Sequence, residues 1–281
     1  MRLHVAVRRV ALLAAVPFAL TVPASAAVGD GASVPGDAVA MVGEAPISND
    51  EFAHWMTVAA TSREASLDAP ITGTVPVPPD FTACVAAATA ALPEKPPKGK
   101  TTPTEAQLKV RCRQVYEELR DEVLRFLISG RWILGEAASQ GIALTDRQVQ
   151  AEFVKQKKQS YPKDADFRKF LKRSGMTIDD LLLRVKVDTL SDRLRVKVTR
   201  DAAPPTRAQI KAYYVKHKKS RFRHKTLKRA TPQIARTLKQ QHEQQALAAF
   251  VTAFHDGWKA RTDCRSGYVI DLCAGAPAPT R

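Results

Sequence analysis

Residues Val39 to Phe52 read Val-Ala-Met-Val-Gly-Glu-Ala-Pro-Ile-Ser-Asn-Asp-Glu-Phe, and this stretch decides the fold. An apolar run that favours a strand meets a Gly43-Glu44 turn. Pro46 and Ile47 then lead into Ser48 and Asn49, either of which is suited to cap a helix whose first turn carries Asp50 and Glu51. The spacing predicts a strand, a turn and a helix running from about Ser48 to Thr61, with His54 and Trp55 as packing residues. Trp55 is also a candidate for facing a groove.

Upstream, Arg2, Arg8 and Arg9 precede an apolar stretch from Val10 to Val22, and Ala24-Ser25-Ala26 has the small-x-small form of a signal-peptidase site. The 13 apolar residues from Val10 to Val22 are interrupted by Pro17, and they fall short of the roughly 20 that span a bilayer. The expectation is an export signal over 1–26, cleavage after Ala26, and a location outside the cytoplasm, either in the cell envelope or secreted. No cysteine directly follows the apolar stretch, which argues against a lipid-anchored form.

Removing 26 residues from 281 leaves 255, enough for a core of ordinary size without disulfides. Four cysteines remain, Cys84, Cys112, Cys264 and Cys273. In an oxidising compartment an even count favours two bridges with three possible connectivities, and the pairing nearest in sequence joins Cys84 to Cys112 and Cys264 to Cys273. There is no C-x-x-C, and the histidines do not fall at ligand spacing with the cysteines, so no metal is expected.

Charge is segregated along the chain. The 44 Lys and Arg less the three in the leader, set against 28 Asp and Glu, leave 41 − 28 = +13. Asp146 to Arg229 holds 25 basic and 9 acidic residues, whereas Ala27 to Thr145 holds 10 basic and 15 acidic. Such a belt attracts polyanions through its long-range field. For an exported chain the matching partners are acidic envelope polymers, anionic lipid head groups or acidic unfolded polypeptides, and nucleic acid is not expected.

Helical periodicity dominates the remainder of the chain. A stretch rich in proline (Pro70, Pro76, Pro78, Pro79, Pro93, Pro96, Pro97 and Pro103) surrounds a short apolar piece at Cys84 and reads as loop. Thr104 then caps a long helix with Leu108, Cys112, Val115, Leu119, Val123, Phe126, Gly130, Ile133 and Ala137 as its seam, ended by Gly141. Thr145 caps a basic helix with Val149 and Phe153, closed at Tyr161-Pro162. Phe167, Phe170 and Leu171 mark another, ended by Gly175. Thr177 opens a helix to about Val198 that is apolar on two sides. Ile178, Leu181, Leu182 and Val185 form one stripe, and Leu183, Val187, Leu190, Leu194 and Val198 form the other, a pattern suited to bridging two packing layers. After Pro204-Pro205, Thr206 caps a helix with Ile210, Tyr213 and Tyr214. A basic loop from Lys218 to Lys225 comes next, then a final helix from about Thr231 to Ala260. Cys264 to Cys273 encloses a short alternating tail.

The opening strand and capped helix, the Ser174-Gly-Met-Thr177 link, the Pro204-Pro-Thr206 start of the Tyr213-Tyr214 helix and the long C-terminal helix together resemble the N-terminal module of the SurA-like and PrsA-like exported chaperones. The resemblance covers most of the mature chain. It implies a mainly α, arched multi-helix chaperone module with a short N-terminal strand and a small disulfide-closed C-terminal tail. The module would occupy 27–222 and the returning C-terminal helix 231–262, with the tail at 263–281. In many relatives a parvulin-type prolyl isomerase domain sits between the last two helices. Here that interval, Arg223 to Ala230, is an eight-residue basic linker, and His224-Lys-Thr-Leu227 does not form the strand such a site needs.

The expectation is therefore a client-binding role, with no catalytic residue and no cofactor. Clients would be unfolded or partly folded exported polypeptides. Trp55, Tyr213, Tyr214 and Phe222 are the candidate client-binding aromatics, although packing of the last three against the final helix competes with that role. The paired carboxylates Asp179-Asp180 and Glu117-Glu118 read as capping or solvated groups. The sequence contains no G-x-S-x-G, H-E-x-x-H, G-x-x-x-x-G-K-[ST] or G-x-G-x-x-G. The rival expectations are a diverged prolyl isomerase and a structural envelope protein gripping anionic wall polymers.

Overall fold

The first strand among the described residues is held from both sides. The computed structural model describes residues 34–66, 74–94 and 101–276. The leader read at 1–26 lies outside them, as do Pro70, Pro96 and Pro97. Strand β1 (Ala38–Val42) pairs antiparallel with β2 (Ala45–Ser48) across the Gly43-Glu44 turn, where Gly43 adopts φ +58°. The second strand corrects the simple strand, turn and helix reading. β2 is an edge of the three-stranded sheet β2-β1-β3, where Pro46 costs no internal ladder bond. Ser48 supplies the cap of α1 (Asn49–Ser66): its Oγ accepts from the Glu51 amide at 3.0 Å. Asn49 instead bonds the Gly36 carbonyl and Arg265.

A helix not anticipated from the sequence, α2 (Thr82–Ala90), comes next. It buries none of its residues and is tied by the Cys84–Cys112 disulfide to α3 (Glu105–Ser139). The long helix α3 begins at a capping box in which Thr104 Oγ1 accepts from the Gln107 amide and the Gln107 side chain accepts from the Thr104 amide. Its middle is wider than the single seam read from the sequence. Leu124, Leu127, Ile128 and Trp132 are buried beside Leu119 and Val123, packed with Val39, Val42, Ile47, Phe52 and Trp55 in the principal core.

Capping boxes at Thr145, Thr177 and Thr206 start α4 (Asp146–Ser160), α6 (Ile178–Asp201) and α7 (Arg207–His217). Helix α5 (Asp164–Ser174) ends at Gly175, φ +69°, a conformation that favours glycine. Helix α6 packs on both of its apolar sides. Leu181, Leu182 and Val185 join Val149, Phe153 and Phe167 of α4 and α5, while Leu190 and Leu194 pack with Ala137 of α3 and Phe250 further along the chain. Ile178 is excluded from the first stripe, being exposed.

The final helix, α8 (Leu227–Lys259), starts four residues before the expected Thr231, because Thr226 rather than Thr231 caps it and Pro232 is carried inside. The basic linker read at 223–230 is therefore replaced by the segment 218–226, whose last residue is the cap. The far end of α8 returns to the principal core through Trp258. The chain continues as β3 (Thr262–Cys264), which pairs with β1. Thr262, fully buried, locks this return. Its hydroxyl accepts from Trp132 Nε1 and donates to the Trp258 carbonyl, both at 2.8 Å. Cys264 bonds Cys273, holding the tail under the sheet, with Cys273 and Ile270 in the core.

The chain is thus mainly helical, with eight helices and three strands among the described residues, a short N-terminal strand pair and a disulfide-closed C-terminal tail.

Candidate functional site: a cleft between α1, α3 and α6

Trp55, Val58, Ala59, Ser62 and Arg63 fall at steps of three and four and so share one face of α1. Opposite them α3 presents Glu122, Val123 and Phe126, while Met176 of the α5–α6 link and Arg184 of α6 complete the lining. Together they line a cleft of about 450 Å³. The floor is aromatic: the Trp55 and Phe126 rings lie 4.5 Å apart at 55°. The Arg184 guanidinium sits over both, 5.1 Å from the Phe126 centroid and 5.8 Å from that of Trp55, where the ring quadrupole attracts a cation. The Arg63 guanidinium donates to Glu118 at 2.7 Å on the opposite rim.

What positions Arg184 is a hydrogen-bonded carboxylate one turn earlier. Asp180 is a buried carboxylate, 7% exposed, and it performs two tasks. One oxygen accepts from the Thr177 amide, closing the α6 capping box, and both lie within 3.0 Å of His54 Nε2 on α1. The start of α6 is thereby tied to α1, and Arg184, four residues on, falls over the aromatic floor. Burial alone raises the Asp180 carboxyl. The bonds from the Thr177 amide, the Thr177 side chain and His54 outweigh that, so the carboxyl lies below its ordinary range. Asp180 is consequently a capping group, as read from the sequence, but a buried and paired one rather than a solvated one.

The four candidate aromatics do not form one surface. Trp55 is in the core at 5% exposure, touching the cleft as part of its floor. Tyr213, Tyr214 and Phe222 are elsewhere, in a separate cluster with Ile210, Ala230, Ile234 and Leu238. Phe222 is 2% exposed, stacked on Tyr214 with centroids 5.9 Å apart, so its ring offers no surface to a partner. Tyr213 and Tyr214 are half-buried against it. Packing prevails at these three positions because the short connection between α7 and α8 folds Phe222 back between the helices. Arg184, Met176 and Glu122 are site residues that the sequence does not announce, since nothing local marks them. They become a site only where α6 crosses α1 and α3.

A second groove of about 560 Å³ lies along another face of α1, between Phe52 and Met56 and the Val75–Pro78 segment, with Tyr116 and Tyr268. Among the described residues no cluster of His, Cys, Asp and Glu has the makings of a metal site, and no helix is long and apolar enough to cross a membrane. No protein-family model, curated protein or solved structure matches the chain.

Proposed function

We propose that the chain is an exported holding chaperone of the SurA/PrsA type, without the isomerase insert, that binds segments of non-native polypeptide and needs no ATP. The observation that carries this is the cleft whose floor is the half-buried Phe126 beside Trp55, with the Arg184 guanidinium over both rings: apolar lining next to a cation suits an aliphatic or aromatic client side chain adjoining a carboxylate. The segment 218–226 between α7 and α8 supports the absence of an isomerase domain at that point.

The magnitudes suit a holder. One large client side chain buries about 150 Å², and at about 25 cal/mol per Å² that is about 4 kcal/mol. Such an anchor by itself corresponds to a dissociation constant on the order of 1 mM. Several contacts along an unfolded chain tighten the hold, yet each lets go readily.

The test is light scattering of a denatured exported protein on dilution, with the purified chain in several-fold molar excess. Suppression of aggregation is expected, and Arg184→Ala should need a few-fold more protein for the same effect, since an exposed cation–π contact is worth roughly 0.5–1 kcal/mol. Unchanged aggregation in the presence of the wild-type chain refutes the proposal.

A further inference from the structure

Between Asp201 and Glu243 the chain contains no carboxylate side chain, while the same stretch carries 12 Lys and Arg residues. All of these cations are exposed. The stretch covers α7, the turn and the first half of α8, and eight of the cations (Lys216, Lys218, Lys219, Arg221, Arg223, Lys225, Lys228 and Arg229) lie at the turn.

The turn is held in place rather than left loose. Phe222 is buried among Tyr213, Tyr214, Ala230 and Ile234, so its neighbours Arg221 and Arg223 project outward. Tyr214 donates to the Lys225 carbonyl at 2.8 Å, and Arg221 donates to the Tyr213 hydroxyl at 3.0 Å. The cations are therefore presented on an ordered platform whose own core is separate from the one beneath the cleft. Lys239, further along α8, pairs with Glu243 at 3.6 Å, but the eight cations at the turn have no ion pair among the described residues and repel one another, a cost that an external anionic partner relieves.

We infer that the α7–α8 turn docks the protein on an anionic phospholipid surface. An exposed turn bearing one sign of charge fits a continuous plane of negative head groups, whereas a protein partner presents both signs. Single-stranded nucleic acid is bound by aromatic side chains free to stack on bases. Here Tyr213 packs on His217 with centroids 4.3 Å apart and Tyr214 on Phe222. At the turn end Val215 is the exposed large apolar side chain, so attachment is electrostatic adsorption and weakens with salt, which screens beyond about 8 Å at physiological ionic strength. Held this way, the chain would keep its cleft beside the membrane across which unfolded clients emerge. The docking does not depend on the cleft's proposed role, and its test reads membrane binding alone.

The experiment is co-sedimentation of the purified chain with phosphatidylcholine vesicles with and without phosphatidylglycerol, at low and high salt. Binding is expected to the anionic vesicles alone and to collapse at high salt. Each cation near an anionic leaflet is worth roughly a fivefold change in partitioning, so Lys216→Gln/Lys218→Gln/Lys219→Gln/Lys228→Gln should lower it by roughly 600-fold. A matched variant, Lys158→Gln/Lys163→Gln/Lys169→Gln/Lys172→Gln on α4, α5 and the link between them, removes the same charge and should retain most binding. Circular dichroism confirms that both variants fold. Equal loss in the two variants overturns the assignment to the turn. Equal binding to neutral vesicles overturns the charge mechanism, and retention by soluble polyphosphate or DNA without vesicle binding overturns the bilayer as partner.

Discussion

Gly135 and Gly257 both lie inside helices, and the same substitution should move stability in opposite directions at the two sites. Replacing glycine by alanine in a helix interior ordinarily stabilises by about 1 kcal/mol. At Gly257, exposed on α8, a new Cβ meets nothing within 4 Å, so Gly257→Ala should gain roughly that 1 kcal/mol. At Gly135 the new Cβ falls 2.1, 2.6 and 2.9 Å from three atoms of the Trp258 ring, against a normal carbon separation of about 3.5–4.0 Å. The ring must retreat by more than an ångström. It is 7% exposed, its Nε1 donates to Glu136 at 2.9 Å, and the Arg261 guanidinium lies 3.9 Å from its centroid, so retreat disturbs all three arrangements. Overpacking of this kind costs about 1–3 kcal/mol, and loosening the bond to the Glu136 carboxylate adds to it. After the helix-propensity gain, Gly135→Ala should be destabilised by about 2 kcal/mol. For a domain of this size each kcal/mol shifts the melting temperature by about 2–4 °C. Calorimetry should then show Gly135→Ala melting about 4–8 °C below wild type and Gly257→Ala about 2–4 °C above it. Gly135→Ala melting at or above wild type would refute the claim that Trp258 closes the C-terminal return by packing on a bare helix backbone.

Asp180→Asn removes a charge that is stabilised in the folded state. Because the folded carboxyl lies below its ordinary range, its contribution is complete above the unfolded value of about 3.9 and is lost as pH falls through the folded value. The urea midpoints of wild type and Asp180→Asn should accordingly differ clearly at neutral pH and converge in strong acid; a gap that widens in acid contradicts the pairing. Opening the Cys84–Cys112 bridge by serine substitution releases a loop of 28 residues and should cost about 3.5 kcal/mol on loop-closure entropy. The Cys264–Cys273 loop of 9 residues should cost about 2.6 kcal/mol on the same basis; each bridge has one buried cysteine, Cys112 and Cys273, so loop length decides and the Cys84–Cys112 variant should show the larger denaturant shift.

Much of the helical framework is legible in local chemistry. The Thr-x-x-Gln pattern at Thr104, Thr145 and Thr206, and Thr177 with Asp180, fix helix starts because the cap needs only groups within one turn. The elements that escape such a reading depend on distant partners. β2 is four residues long and contains Pro46, and it is a strand only because β1 supplies its bonds. α2 buries nothing and is secured by a bridge to another helix. α8 begins earlier than its local pattern suggests, because Pro232 and Thr231 together imitate a helix beginning while Thr226 does the capping. At the candidate site, Trp55 stands out in the sequence as an aromatic, but Arg184 and Met176 carry no mark of their role until α6 lies across α1 and α3.

The amino-acid sequence by itself set the helical periods, the capped starts, the two-sided character of α6 and the one-signed charge of the α7–α8 turn, because these are properties of neighbours along the chain. The tertiary structure decided which aromatics face outward, which carboxylate is buried, and where the C-terminus returns. Those outcomes arise from competition for burial among residues more than a hundred positions apart: His54 with Asp180, and Trp132 with Thr262.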